Sequence, residues 1–309
     1  MDIYQIIESV DSDSVKKCVS TLSNPILIKT SNNFENNLEN SVCLLTLPVE
    51  LIRICFAISE ERMWEMIGYM SVHSKKPYKE IDTSAEGIKK EADRLRDMTN
   101  GSKKDSFVEA TDLLKSLAKT AEEIRDPLRT LLLHSLLASW TAFECLIKDV
   151  WIQCLNTFPN ECAQPTFSTL TDREFIDGIN MKAIQVGLLA KYEFDVSNCL
   201  GTLLAPKFDF TSLKGMQKAY EAAFKNLLDL EKIFTDTHLV RLEATRHLVV
   251  HRGGVVDNEY LEKTGENVEI GSLVTIDEAS SVLYFNTVSE NGCLLLSNLD
   301  KYIMKLKIK

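Results

Sequence analysis

The sequence predicts a mainly α fold: a C-terminal helical bundle, a helical and in part α/β N-terminal region, and a short β-prone piece near the C-terminus. Three observations carry that prediction. In "PLRTLLLHSLLASWTAFECLIKDVWIQCLNTF" the residues Leu132, Leu136, Trp140, Phe143, Ile147, Val150 and Cys154 recur at intervals of three and four, the helical period. A second run, Met216, Tyr220, Phe224, Leu227 or Leu228, and Phe234, marks another helical face, and "THLVRLEATRHLVVHR" follows with Leu239, Leu242 and Val249 at the same spacing. Against these stands a single β-prone stretch, "VEIGSLVTI" at 268–276.

Taken in order, residues 1–23 read as helix and "SNNFENNLENS" (31–41) as an Asn-rich loop. The segment 42–70 is apolar with Pro48 near its start. Proline suits a first helical turn, so a helix is expected from there, while the Val, Ile and Cys content leaves a strand open at its beginning. Thr83 or Ser84 caps a charged helix to about Asp97, "TNGSKKDS" (99–106) breaks the chain, and another helix covers roughly 107–125. Pro127 opens the long helix and Pro159 ends it, followed by a loop over 159–174. "DREFIDGINMKAIQVGLLAK" reads as helix and "LAPKFDFTSL" as a connection. Gly253-Gly254 is a strong helix stop, and Asp277 caps a final helix.

Composition sets the class. The chain of 309 residues suits one large or two modest domains, with 45% hydrophobic and 26% charged residues and a mean hydropathy near zero. A cytoplasmic protein is expected, with no signal peptide and no apolar stretch long enough to span a bilayer. The eight cysteines are scattered and never C-x-x-C, which points to reduced, mostly buried thiols rather than disulfides or a zinc site. A net charge of -10 excludes a protein that coats nucleic acid by bulk charge, yet residues 205–252 hold eight basic against six acidic residues.

The densest chemistry lies in "EATRHLVVHRGGVVD" (243–257), which holds two of the five histidines. One reading is helix capping: cations in a last turn interact favourably with its carbonyl end, and Gly-Gly closes the helix. A zinc reading through His247 and His251, four apart on one face, lacks the intervening Glu and any third ligand. The third reading is acid–base chemistry on a phosphodiester. Imidazole titrates near neutrality and can take the proton of a 2′-hydroxyl, while guanidinium forks onto phosphate oxygens as charge builds.

"RHLVVH" resembles the R-x4-6-H signature of the HEPN superfamily (higher eukaryotes and prokaryotes nucleotide-binding), whose residue after Arg is commonly Asn, Asp or His, here His247. The setting matches too: a long helix with Trp and an acidic residue in "SWTAFECLIKDVW", intervening helices, and a late helix ending in Gly-Gly. The resemblance covers roughly 127–256. It implies an all-helical bundle (121–256), flanked by a mostly helical region of unassigned role (1–120) and an extension with a short strand and a final helix (257–309). It also implies a homodimer that joins two such helices in one cleft, and metal-independent endoribonuclease activity leaving a 2′,3′-cyclic phosphate. The expected partners are an RNA substrate and a co-encoded antitoxin or regulatory protein, in a toxin or antiviral defence role, with no cofactor and no membrane. By residue, Arg246 would hold the phosphate, His251 would be the acid–base group, and His247 would orient the partner or the substrate. Glu144, Arg252 and Arg241 are supporting candidates, although for Glu144 a helix-surface carboxylate is the stronger reading. Inactive members, which bind nucleotide or only dimerise, supply the rival expectation.

Other candidates take ordinary roles. His73, His134 and His238 are isolated, and Tyr220 and Trp151 read as core. Gly-rich phosphate loops, a Ser-His-Asp order and acidic metal clusters are missing from the sequence.

Overall fold

A computed structural model describes residues 6, 9, 10, 12–74, 82, 84–98, 106–166 and 189–307. The fold is mainly α, and among the described residues the only β pairing is one isolated antiparallel bridge, Val255 to Leu273. In chain order the helices are α1 (Ser12–Thr21), α2 (Pro25–Ser74), α3 (Ala85–Met98), α4 (Ser106–Thr120), α5 (Glu122–Thr157), a π-helical turn (Pro159–Ala163) and α6 (Leu200–Leu204) with a 3-10 turn (Ala205–Lys207). They continue with α7 (Leu213–Ala223), α8 (Leu230–Phe234), α9 (Thr237–Arg252), α10 (Asn258–Thr264) and α11 (Glu278–Lys307). The chain divides into two compact units, one of Met1–Tyr4 with Leu45–Thr130 and one of Gln5–Leu44 with Leu131–Lys309.

The second unit is a bundle built around α5. Trp140, Phe143, Ile147, Val150, Trp151 and Cys154 are all fully buried along it. Two buried side chains tie α5 and α7 in both directions: Trp151 Nε1 donates to Ala219 O at 2.9 Å, and Tyr220 Oη donates to Ile147 O at 2.7 Å. Phe208 and Phe210 close on Trp151, each with ring centroids 5.4 Å away. Gly292 of α11 lets α2 approach, because a Cβ there would lie 2.6 Å from the ring of Phe34. Asp300, also on α11, accepts from the backbone N–H groups of Ser23 (3.0 Å) and Asn24 (2.9 Å), satisfying donors at the start of α2.

The first unit has its own small core. Val72 and Ala92 are buried, and Gly68 sits where a Cβ would meet Ile88 O at 2.7 Å. Ser71 Oγ donates to Glu91, and Arg96 pairs with Glu60 at 3.1 Å.

Several expectations are corrected. Residues 31–41 are helix, not loop, because Phe34 and Leu38, four apart, are buried with Ser31 and Ser41. That packing outweighs the modest helix cost of the asparagines, about 0.7 kcal/mol each. Pro48 lies inside α2 rather than at its start. The helix runs through it with Leu45 and Val49 fully buried on either side, and there is no strand. Helix α4 ends at Thr120, and α5 starts at Glu122 instead of Pro127, whose missing N–H falls in the second turn. The expected loop from 159 is helical through Thr166, where Cys162, Ala163 and Thr166 are buried. The break at 99–106 lies outside the described residues apart from Ser106, which begins α4, and so does most of the helix expected at 172–191.

The face from Met216 to Phe234 belongs to two helices. Asn226 and Asp229, at φ of 63° and 59°, turn the chain between them, burying Leu227 and exposing Leu228. No strand forms at 268–276, where Gly271 adopts φ of +87°. The segment instead folds back on the α9–α10 connection, with Val256 N–H donating to Ser272 O and Val274 N–H to Gly254 O. None of the eight cysteines forms a disulfide, yet only Cys154, Cys162 and Cys199 are buried, while Cys43, Cys55 and Cys145 are exposed on their helices. Finally, α2 and α5 each contain a window long and apolar enough to cross a membrane. That of α5 is half buried in the bundle, whereas only 17% of that of α2 is buried. Val249, expected to face the core, is half-buried, and Leu248 takes the core position.

Candidate active site

Helix α9 presents the cluster, and local rules set both of its ends. Asp236 caps the first turn by accepting from His238 N and Leu239 N at 2.9 and 3.0 Å. Gly253 stops it in the left-handed region (φ +62°), and Gly254 N–H donates to Leu248 O at 3.0 Å. Leu239, Leu242, Ala244, Thr245 and Leu248 form the buried face. Arg246, His247, Val250 and His251 occupy the outer arc, with Val250 and His251 exposed.

Arg246 points toward α5. Its Nη2 lies 3.7 Å from Glu144 Oε1, with both side chains mostly covered at 24% and 17% exposure. This separation makes an ion pair rather than the bidentate hydrogen-bonded fork that Arg and carboxylate form at about 2.7–2.9 Å. Burial pushes the Glu144 carboxyl above its ordinary range, opposed by the Trp140 indole N–H and the Arg246 charge. Neither Trp140 Nε1 nor Glu144 Oε1 closes a hydrogen bond of good geometry, so two buried polar atoms face this corner unsatisfied.

Asp209 is the second carboxylate beside Arg246, and sequence reasoning missed it. Burial raises its pKa, but hydrogen bonds from Ser212 and Thr211, with the Arg246 charge, outweigh burial and hold it below the usual value. Ser212 Oγ and Thr211 Oγ1 donate to it at 2.5 and 2.6 Å, and Ser212 in turn caps α7 by accepting from Gly215 N. The pattern "DFTSL" carries this Asx-type turn in plain view. Its approach to Arg246 comes from the α7–α9 packing, where Glu243 of α9 accepts from Leu213 N at 2.9 Å.

The two histidines form the other flank. His247 and His251 have ring centroids 4.9 Å apart, one helical turn along the same face. His247 lines a small cleft with Asp257, Glu259, Tyr260 and Lys263 of the α9–α10 hairpin. Arg246 and His251 are five residues apart, roughly 140° around the helix.

The supporting arginines are placed differently. Arg252 pairs with Asp257 at 3.3 Å, and Asp257 caps α10 through Tyr260 N. Arg241 lies 3.9 Å from Glu266, which also accepts from Tyr260 Oη at 2.9 Å. Both are therefore engaged with the hairpin that buttresses α9. His134 is exposed, His73 stacks edge-on with Tyr69, and His238 follows the α9 cap. The chain matches no family model, and it matches no curated protein and no solved structure.

Proposed function

We propose that the chain is a metal-independent endoribonuclease of the HEPN type, working as a homodimer on RNA in a cytoplasmic toxin or antiviral defence role. The observation that supports this best is the arrangement on α9. A half-buried Arg246 is paired with Glu144 and within electrostatic reach of Asp209, with the exposed His251 five residues later and His247 beside it.

In this reading the scissile phosphate lies on the Arg246 N–H donors, which stabilise the charge that develops on its oxygens. The His251 imidazole takes the proton of the 2′-hydroxyl, and the 2′-oxygen attacks phosphorus. The bond to the 5′-oxygen breaks, and that oxygen leaves with a proton returned by imidazole. The products are a 2′,3′-cyclic phosphate and a 5′-hydroxyl. His247 orients His251 or the substrate, and Glu144 positions Arg246. A co-encoded antitoxin or regulatory protein would keep such an activity in check.

The test is cleavage of total RNA in EDTA by wild type and His251→Ala, with the 3′ ends of the fragments identified. Cleavage by wild type alone, leaving cyclic phosphates, is the expected result. A second reading, a HEPN-like module that binds nucleotide, RNA or a protein without turnover, draws on the two carboxylates that already face Arg246. A stable complex with a co-encoded protein, and no cleavage in either state, would favour it.

A further inference from the structure

The first unit carries an apolar surface that its own core does not use. From Leu47 to Ile58, α2 exposes Leu47, Leu51, Ile54 and Ile58, each about half accessible. Their spacing of four, three and four is the heptad repeat of a helix-to-helix seam, with Leu47 and Ile54 at one core position and Leu51 and Ile58 at the other. The opposite side of the same turns is already occupied, since Leu45 and Val49 are fully buried. At about 100° per residue, apolar side chains between 47 and 58 span roughly 200° of the circumference, wider than one internal contact needs. Further along, Met63, Met66 and Met70 continue the exposure at spacings of three and four.

We propose that this face of α2 is an interface with a second copy of the chain, the Leu47–Leu51–Ile54–Ile58 seams packing against each other. Area favours that occupant. The nine exposed large apolar side chains from Leu47 to Met70, four of them in the seam, together amount to on the order of 800 Å², beyond the roughly 300–600 Å² of a monomer's largest apolar patch. Each partner in a stable interface contributes about 800 Å², so the seam forms its centre and the neighbouring apolar side chains of the same face its margin. Charge placement disfavours a bilayer, although the segment is apolar enough by length. Glu50 and Arg53 pair at 2.6 Å on the arc beside the seam, where a helix partner leaves them in water and lipid would surround them. The seam is self-matching, as homo-oligomeric contacts are. This inference stands apart from the nuclease reading, because its residues belong to the unit that lacks Arg246 and His251.

The experiment is the particle mass of the full chain by light scattering, for wild type and for Leu51→Glu/Ile54→Glu. The expected wild-type mass is an even multiple of 34.9 kDa, and the double variant halves it while keeping its helicity and a cooperative melt. A wild type of single-chain mass, or a variant of unchanged mass, overturns the proposal. Because the variant also risks misfolding, hydrogen exchange of the wild type supplies a second readout. Protection of 47–58 that rises with protein concentration supports the seam, and concentration-independent exchange there overturns it. Flotation of the wild type with phosphatidylcholine–phosphatidylglycerol vesicles would assign the face to lipid instead, and would equally overturn it.

Discussion

Arg246 and Glu144 meet across 3.7 Å between two helices that lie about a hundred residues apart in the chain, and Asp209 adds a second negative charge within electrostatic reach of the guanidinium. The pair is asymmetric: the arginine is always charged, whereas burial makes the Glu144 carboxyl reluctant to ionise.

Arg246→Lys keeps the charge and removes the planar fork. RNA cleavage by this variant is expected to fall at least about 100-fold, as it would for Arg246→Ala, since one positioned donor to a developing oxyanion is worth about that factor. Single-turnover cleavage assays check this, and a Lys variant as active as wild type would show that point charge alone suffices.

Glu144→Gln tests the linkage. The folded-state pKa of Glu144 is raised, so the native chain holds this proton more tightly than the unfolded chain does. Stability is therefore lost as pH climbs from the ordinary carboxylate value through the folded one, and the full cost is present above it. The variant should melt slightly higher than wild type at neutral pH, and the two should converge below about pH 4. Thermal melts across that range would refute the sign if the variant were the less stable one at neutrality.

Gly292→Ala places a methyl 2.6 Å from the Phe34 ring and should cost about 1–3 kcal/mol by overpacking. Denaturant melts of the double variant with Phe34→Leu should recover part of that loss, and strictly additive losses would mean the contact is not the cause.

Trp151→Phe and Tyr220→Phe each remove one donor between α5 and α7, leaving Ala219 O or Ile147 O with its own helix bond alone. Each is expected to cost about 0.5–1.5 kcal/mol. Asp257→Ala removes the α10 cap together with the partner of Arg252, at about 1 kcal/mol. Equilibrium unfolding checks all three, and a neutral Asp257→Ala would detach the hairpin from the stability of α9.

The end of α9 is legible in the sequence because capping chemistry is local: Gly253 and Gly254 act within a turn of the residues they stop, whereas the Asp236 cap at its start is seen only in the structure. Ser84 at α3 and Asp277 at α11 are legible too, and the carboxylate of Asp277 accepts from Ser280 N at 2.8 Å. The Asn-rich segment misled because its loop-like composition said nothing of the bundle into which Phe34 and Leu38 sink. "VEIGSLVTI" misled in the converse way, since a β-prone run needs a partner strand, and its neighbour is the turn after α9. In the site, Glu144 could be named as a candidate from its place beside Trp140. Asp209 could not, because nothing in "KFDFTSL" announces an arginine that only the α7–α9 packing delivers.

The Asp300 carboxylate that caps the start of α2 has a temporal meaning. Helix α11 is translated after every element it completes, and it supplies both that cap and the Gly292 surface on which Phe34 rests. The early helices therefore wait, partly unassembled, while most of the chain is made, and the bundle bearing Arg246 and His251 closes only once synthesis has passed residue 300. Chains stalled before Glu278 should accordingly show no cooperative melt of the bundle, and a stalled chain that melts cooperatively would break the connection.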